Sequence, residues 1–373
     1  MKDFQQRCLE LLKDEEVVGL SVLTTNKEEI TNSFTYKYAD LENQIPTSLD
    51  NIYRIASVSK IEVALAIMKL VEQGKLDIKE DVSKYLGFKF RNPYFPNDII
   101  TLEMIMTQTS SLNDGVEDGA LGYEGVNGRH AFVDLNTLIN DENYEYYTKD
   151  TFLNKKPGTF WNYSNFGCGI LACIVEKVSG VIFTEYVKKE VFDKLGLDAS
   201  FRISDIKNKD KVANLYVYRN GEFKISRTLE LLQKGEYPIH PLGQNFRGPA
   251  GGLLISPNDL SKIMRMMMNK GTFNNVKVFE PSTIELMEEI HWEGIAEDDP
   301  IYRKKGLQLL LLDGYTKHTL KGHYGYAYGL RSFMLYNDHV GFIFVCNGAN
   351  FIQDTDMTRL QKKFLQLMSE LDQ

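Results

Sequence analysis

Apolar and polar positions fall into three blocks along the chain. Met1 to Glu16 sets Asp3, Glu10, Asp14, Glu15 and Glu16 among apolar residues, the pattern of an amphipathic helix. Val17 to Thr24 is a β-branched apolar run, and Thr31 to Tyr38 alternates aromatic with polar residues across a polar turn at Asn26 to Glu29, which predicts two paired strands. The other end mirrors this: Tyr328 to Tyr336 and His339 to Cys346 read as strands split by Asn337-Asp338, and Asp354 to Leu371 has helical period. Between them helical periods dominate, at Leu102 to Met106, Gly167 to Val178, Phe183 to Leu195 and Asn258 to Met268, broken by Gly- and Asn-rich loops. The pattern predicts a mixed α/β (α+β) unit. Both termini build an antiparallel sheet in one lobe, about 1–80 and 290–373, and a helical lobe, about 81–289, is inserted between them, with the cleft between the lobes as the expected site.

The chain of 373 residues carries a net charge of −8 and no basic stripe, which argues against a nucleic-acid partner. Its densest apolar runs, Gly306 to Leu312 and Gly169 to Val175, fall far short of the roughly 20 residues that span a bilayer. The first helix lacks the unbroken apolar stretch of a secretory signal, so the chain as given is expected to be cytoplasmic. Cys8, Cys168, Cys173 and Cys346 are scattered, with no zinc spacing, and read as buried free thiols. Neither a metal nor an organic cofactor is expected.

Candidate chemistry lies at three places. Ser57 stands at the start of a helix that is apolar on nearly every side and is closed by Gly74, and Lys60 follows one turn later on the same face. Burial disfavours an ammonium, so a buried Lys60 is expected to take the serine proton, while the helix dipole favours a developing alkoxide. The same spacing recurs at Ser204 and Lys207, in a charged stretch that reads as solvated surface. The second place is Trp161-Asn162-Tyr163-Ser164-Asn165, where a phenol and a carboxamide at i and i+2 can both face a cleft. The third is Lys321-Gly322-His323-Tyr324-Gly325-Tyr326, before a strand, where Gly325 allows close backbone approach.

Taken in order, Ser57-Val58-Ser59-Lys60, Tyr163-Ser164-Asn165 and His323-Tyr324-Gly325 resemble the S-x-x-K, Y-x-N and K/H-x-G motifs of the class C β-lactamase and penicillin-binding-protein superfamily of serine hydrolases. Val18 to Val22, Leu102 to Leu112, Gly248 to Leu253 and the closing helix are also similar. The resemblance implies an αβα sandwich with an antiparallel sheet beside an all-helical lobe. It also implies roles: Ser57 as acylated nucleophile, Lys60 and Tyr163 as the proton-transfer pair, and Asn165 as a substrate-amide contact. His323 would be a polar group beside Tyr163 or the substrate carboxylate, and the backbone N–H groups of Ser57 and Tyr326 an oxyanion hole.

Departures from the pattern sharpen the expectation. His323-Tyr324-Gly325 replaces the Lys-Thr-Gly of β-lactamases, exchanging a fixed cation for a titrating imidazole, so β-lactamase activity is expected to be weak or absent. Gln108 and Ser111 stand where the family often has His and Gly, a matter of loop packing. The aromatic stretch 115–147 reads as an elaborated loop and helix over the cleft, or as packing onto the helical lobe. Gly167-Cys168-Gly169-Ile170-Leu171-Ala172 matches G-x-G-x-x-A without a preceding strand, which points to close helix packing, and Met264 to Met268 reads as core. Two readings follow. One is a serine acyl-hydrolase acting on a small-molecule or peptide substrate, esterase or D,D-peptidase-like; the other is a penicillin-binding sensor or a non-catalytic peptide-binding homologue.

Overall fold

The computed structural model describes residues 3–115, 120–296 and 299–370. Residues 116–119 of the expected 115–147 elaboration, the first two residues of the expected amino-terminal helix and Leu371 of the closing helix lie outside them.

Nine strands form one sheet: β1 (Val17–Thr25), β2 (Ile30–Asp40), β3 (Ile45–Pro46), β4 (Trp292–Ala296), β5 (Asp299–Lys305), β6 (Leu310–Leu312), β7 (Leu320–Ala327), β8 (Leu330–Tyr336) and β9 (Gly341–Ala349). Their order is β4-β5-β6-β7-β8-β9-β1-β2-β3 and every neighbouring pair is antiparallel. The sheet is thus closed in its middle by the pairing of β1 with β9, from opposite ends of the chain. Both strands are buried along their whole length, so both faces of the sheet are covered.

Alternation decides which core each residue enters. Phe342, Phe344 and Cys346 of β9, with Phe333 and Leu335 of β8, pack under α1 (Phe4–Leu12) and the closing helix α5 (Arg359–Ser369). Ile343 and Val345, with Met334 and Tyr336, face the larger core instead. That second core holds α2 (Lys60–Glu72), α3 (Asn165–Ser179) and α4 (Pro257–Met268). The result is helix, sheet, helix. Local signals agree with the elements: Thr358 and Gln361 make a capping box on α5, and Ser256 caps α4 with Pro257 in its first turn.

Three features differ from expectation. The intervening region is mainly helical but carries a hairpin, Leu215–Arg219 with Glu222–Arg227, so it is not all helix. The stretch expected as one helix from Phe183 to Leu195 keeps helical form but widens to a π turn at Lys188–Phe192. The strands β4 to β7 lengthen the sheet well beyond what Tyr328 onward announced; in β5, for instance, alternation is hidden by the charged run Arg303-Lys304-Lys305. All four cysteines are free and buried, and burial pushes the Cys168 thiol up to about 11. No single helix among the described residues is long and apolar enough to cross a membrane.

Candidate active site

The site is built where a short strand runs into α2. Tyr53–Arg54 pairs with Leu254–Ile255, and the Ile55 N–H donates to Leu253 O at 3.0 Å. Ala56 then takes φ 55°, a left-handed conformation that L side chains reach only at a cost, and the chain turns through a tight helical turn, Ala56–Ser59, into α2. From Ile55 to Leu70 every residue is buried except Ser57, which is half-buried. The strained corner therefore presents one hydroxyl to the cleft.

Lys60 Nζ donates to Ser57 Oγ at 3.1 Å, to Asn165 Oδ1 at 2.8 Å and to the Ala250 carbonyl at 2.9 Å, and it lies 4.7 Å from the Tyr163 ring centre. Lys60 is fully buried, as expected, but three acceptors surround it, one for each N–H of an ammonium. Tyr163 Oη stands 2.7 Å from Ser57 Oγ and donates to it. The structure thus brings Ser57, Lys60, Tyr163 and Asn165 together. Asn165 has its carboxamide oxygen committed to Lys60, where the sequence suggested only a substrate contact.

Asn165 is the first residue of α3, and the loop before it is tied down by Asp114, which the sequence did not single out, and by Gln108, which it did. Asp114 accepts from Ser164 Oγ at 2.7 Å, from Phe166 N at 2.9 Å and from Asn165 N. Ser164 caps the helix at Gly167 N, 3.1 Å away. Gln108, in a left-handed conformation, accepts from Ser164 N at 2.8 Å through Oε1 and from Asn162 N at 2.8 Å through its carbonyl, so the loop departure at this position bears on the Tyr163 loop. Trp161 lies 4.5 Å under the Arg303 guanidinium, which is itself held by Asp356 through two hydrogen bonds of 2.7 and 2.9 Å. Nothing local marks Asp114 or Arg303, whose partners are about 50 residues away in the chain.

The third element approaches from the sheet. A Cβ on Gly325 would lie 2.6 Å from Ile55 O, 3.1 Å from Ser57 N and 2.5 Å from Ser332 Oγ, so only glycine lets β7 lie against the nucleophile's backbone. Tyr326 follows it, 67% exposed, with the Arg331 guanidinium 3.3 Å over its ring. His323 corrects an expectation. It is 2% exposed, and burial, together with the positive charges of Lys305 and Lys60, holds its imidazole well below the usual range. Its Nδ1 lies 2.6 Å from Tyr324 O, which places the proton on Nδ1 and leaves Nε2 with a lone pair. The group replacing the family's lysine is a neutral ring, 6.2 Å between centres from Tyr163, and not a titrating cation.

Lys305, which the sequence did not single out, is 1% exposed, and burial followed by repulsion from Arg303 and Lys60 lowers its pKa to about 7. The second S-x-x-K, at Ser204 and Lys207, lies exposed as expected. The glycines of the G-x-G-x-x-A match serve packing: a Cβ on Gly169 would lie 2.1 Å from Phe246 O. Within the aromatic elaboration, Tyr123 stacks on Phe166 of α3 at 5.0 Å.

A family model described as Beta-lactamase matches residues 4–365. A Bacillus subtilis (strain 168) protein named as a penicillin-binding protein, PbpX, is 30% identical over 197 residues, which are 52% of this chain and 44% of that protein. Protein flp of Staphylococcus aureus (strain N315) is 22% identical over 272 residues, 72% of this chain and 49% of its own. The chain thus spans about half the length of the curated relatives it matches. Among solved structures, the D-amino acid amidase of Ochrobactrum anthropi SV3, determined with D-phenylalanine, superposes with a TM-score of 0.69 at 16% identity and 99% coverage of both chains.

Proposed function

The chain belongs to the β-lactamase family, and from that premise we propose that it is a serine acyl-hydrolase working through an acyl-Ser57 intermediate on a small ester, amide or peptide. The reading is esterase or D,D-peptidase-like, with weak or no β-lactamase activity. The observation that carries it is the convergence of Lys60 Nζ and Tyr163 Oη on Ser57 Oγ, at 3.1 and 2.7 Å. A scaffold that only bound a peptide has no physical use for two proton-carrying groups on one half-buried hydroxyl.

In this reading the reacting state of the pair holds one proton fewer than the resting one, a Tyr163 phenolate beside the Lys60 ammonium, and as Ser57 Oγ attacks the substrate carbonyl its proton passes to Tyr163 Oη. Positive charge on Lys60 stabilises negative charge developing on Tyr163 or on the alkoxide, within a buried setting that weakens screening. The carbonyl oxygen becomes an oxyanion that the Ser57 and Tyr326 N–H groups stabilise. The pair then returns the proton to the leaving oxygen or nitrogen as its bond to carbon breaks, and water releases the acid by the same route. Asn165 holds Lys60 in line and offers its amide nitrogen toward substrate. The α/β lobe and the helical lobe act as the two walls of the cleft.

A neutral His323 supports the substrate preference. A β-lactam presents a carboxylate, and this third motif places no charge there to meet it. The test is intact mass after a fluorophosphonate and, separately, a fluorescent penicillin. A single phosphonyl adduct that vanishes in Ser57→Ala is expected, and a label retained in that variant overturns the assignment.

A further inference from the structure

A cavity of about 110 Å³ lies on the far side of the Gly248 to Gly252 loop, and none of Ser57, Lys60, Tyr163, Asn165 or His323 lines it. Its wall is shared with the site, because Ala250 of that loop accepts from Lys60 while Gly248, Pro249 and Gly252 face the cavity. The floor is apolar, built on Phe183 and Phe201, which pack edge to face at 4.9 Å, with Leu232 and Leu254 beside them.

Its polar lining is unbalanced. Of the two carboxylates, Glu236 is paired with Arg202 at 2.9 Å, and Glu176 is closed by Phe183 N, Gly243 N and Asn245 Nδ2 at 2.7 to 3.0 Å. Two further guanidiniums have no counter-ion. Arg247, 6% exposed, donates to the carbonyls of Arg129 at 2.6 Å and Ala131 at 2.9 Å, and Arg54 donates to the carbonyl of Gly251 at 3.0 Å. Among the described residues neither makes an ion pair. His240, 3.0 Å from Arg247, is held below the usual imidazole range by burial and by that guanidinium, so it is a neutral partner that leaves the Arg247 charge unbalanced. Arg54 is half-buried and lies 4.8 Å from the Tyr328 ring centre, whereas for Arg247 burial beside neutral acceptors alone is unfavourable, a deficit that an anion relieves.

We propose that this cavity is a second ligand site, separate from the Ser57 cleft, that takes a small amphipathic carboxylate. The anionic head meets Arg54 and Arg247, and the apolar body lies against Phe183, Phe201 and Leu254. This goes beyond the acyl-transfer reading and does not depend on it.

Isothermal titration with phenylacetate tests it, using phenylacetamide as the uncharged analogue of the same shape. Phenylacetate binds at one site, and the amide binds about tenfold more weakly or worse, the loss expected for one charge-assisted contact. Leu232→Trp, which fills the cavity from a half-exposed helix position, abolishes the heat, and Ile239→Glu, which sets a carboxylate at an exposed rim position, weakens binding without touching the core. Protein phosphonylated at Ser57, verified by intact mass, binds phenylacetate as the free protein does. Absence of binding, equal affinity for the amide, or unaltered binding in both variants overturns the proposal, as does loss of binding on phosphonylation, which would place the anion in the cleft. If Ser57 resists phosphonylation, the acyl-transfer reading fails by itself, and the two variants still decide the location.

Discussion

Tyr163 Oη lies 2.7 Å from Ser57 Oγ although the two residues are 106 positions apart, and Lys60 Nζ reaches the same oxygen while resting 4.7 Å from the Tyr163 ring. Two groups this close share one proton inventory and act as a unit. Lys60→Ala and Tyr163→Phe should each lower kcat/KM on the order of 10² to 10⁴-fold, the range for losing a general base. The double variant should be little worse than either single, because residues acting as a unit are grossly non-additive. Steady-state kinetics on the four proteins, with circular dichroism to verify folding, decides it. Multiplicative losses would show two independent roles.

The neutral imidazole at His323 predicts a pH-insensitive third motif. The folded-state pKa is depressed, so protonation in the unfolded chain near the ordinary value of about 6.5 is not matched in the fold, and the stability cost appears as pH falls below that value. NMR of the ring nitrogens should show Nδ1 protonated and Nε2 bare on both sides of the ordinary imidazole value of about 6.5. A titration near pH 6.5 would restore the weak cation that the sequence suggested. Aryl esters or D-amino-acid peptides should be turned over faster than penicillins or cephalosporins, and a cephalosporin with the highest kcat/KM of the panel would contradict this.

The motifs were legible because each is local. Ser57 and Lys60 share one helical turn, Tyr163 and Asn165 flank one cap, and His323 and Gly325 sit on one strand, so spacing alone places each pair. Terminal strands were legible for the same reason, through apolar runs in β1 and β9. What was not legible depends on distant partners. Nothing local marks Lys305 as buried before the pairing of β5 with β6, and Asp114 has no sequence neighbour that marks it as the anchor of a helix 50 positions later. The neutrality of His323 likewise follows from burial and from Lys305, which no motif contains.

Glu62 is the third residue of α2 and is fully buried, and neither of its carboxyl oxygens has a hydrogen-bond partner among the described residues. Burial raises its pKa from 4.5 to about 8. A group with a raised folded-state pKa contributes stability in full below the unfolded value of about 4.5 and loses it as pH rises toward about 8, because the unfolded chain gains by ionising while the fold does not. At neutral pH that loss is on the order of 3 kcal/mol. Glu62→Met, of similar length and apolar, should raise the thermal midpoint at pH 8 and flatten its decline between about pH 5 and 8. An unchanged slope would mean that the carboxyl finds a partner in solution.

Asp114 fixes the loop that delivers Tyr163 and Asn165, and its replacement separates positioning from chemistry. The first turn of α3 has N–H groups without intrahelical acceptors, and Asp114 takes those of Asn165 and Phe166 while also holding Ser164 Oγ, which in turn caps Gly167. A carboxylate suits this place twice over, since each oxygen accepts and its charge opposes the positive end of the helix. In Asp114→Asn one accepting oxygen becomes an NH₂ group, and either the Asn165 N–H or the pair of Ser164 and Phe166 donors faces another donor. An unsatisfied buried donor costs about 1 to 3 kcal/mol, enough to shift the cap and the residues it orients. Because Asn165 Oδ1 holds Lys60 and Tyr163 precedes the cap, the displacement reaches Ser57 without removing any proton-carrying group. The expected result is a fall in kcat of about tenfold to a hundredfold, with KM for a small aryl ester nearly unchanged and the pH profile keeping its apparent pKa values. Rates measured across pH, with a melting curve for each variant, check this. A shifted profile would mean that the Asp114 charge itself tunes the Lys60 and Tyr163 pair, and a wild-type kcat would show that the loop keeps its place without it.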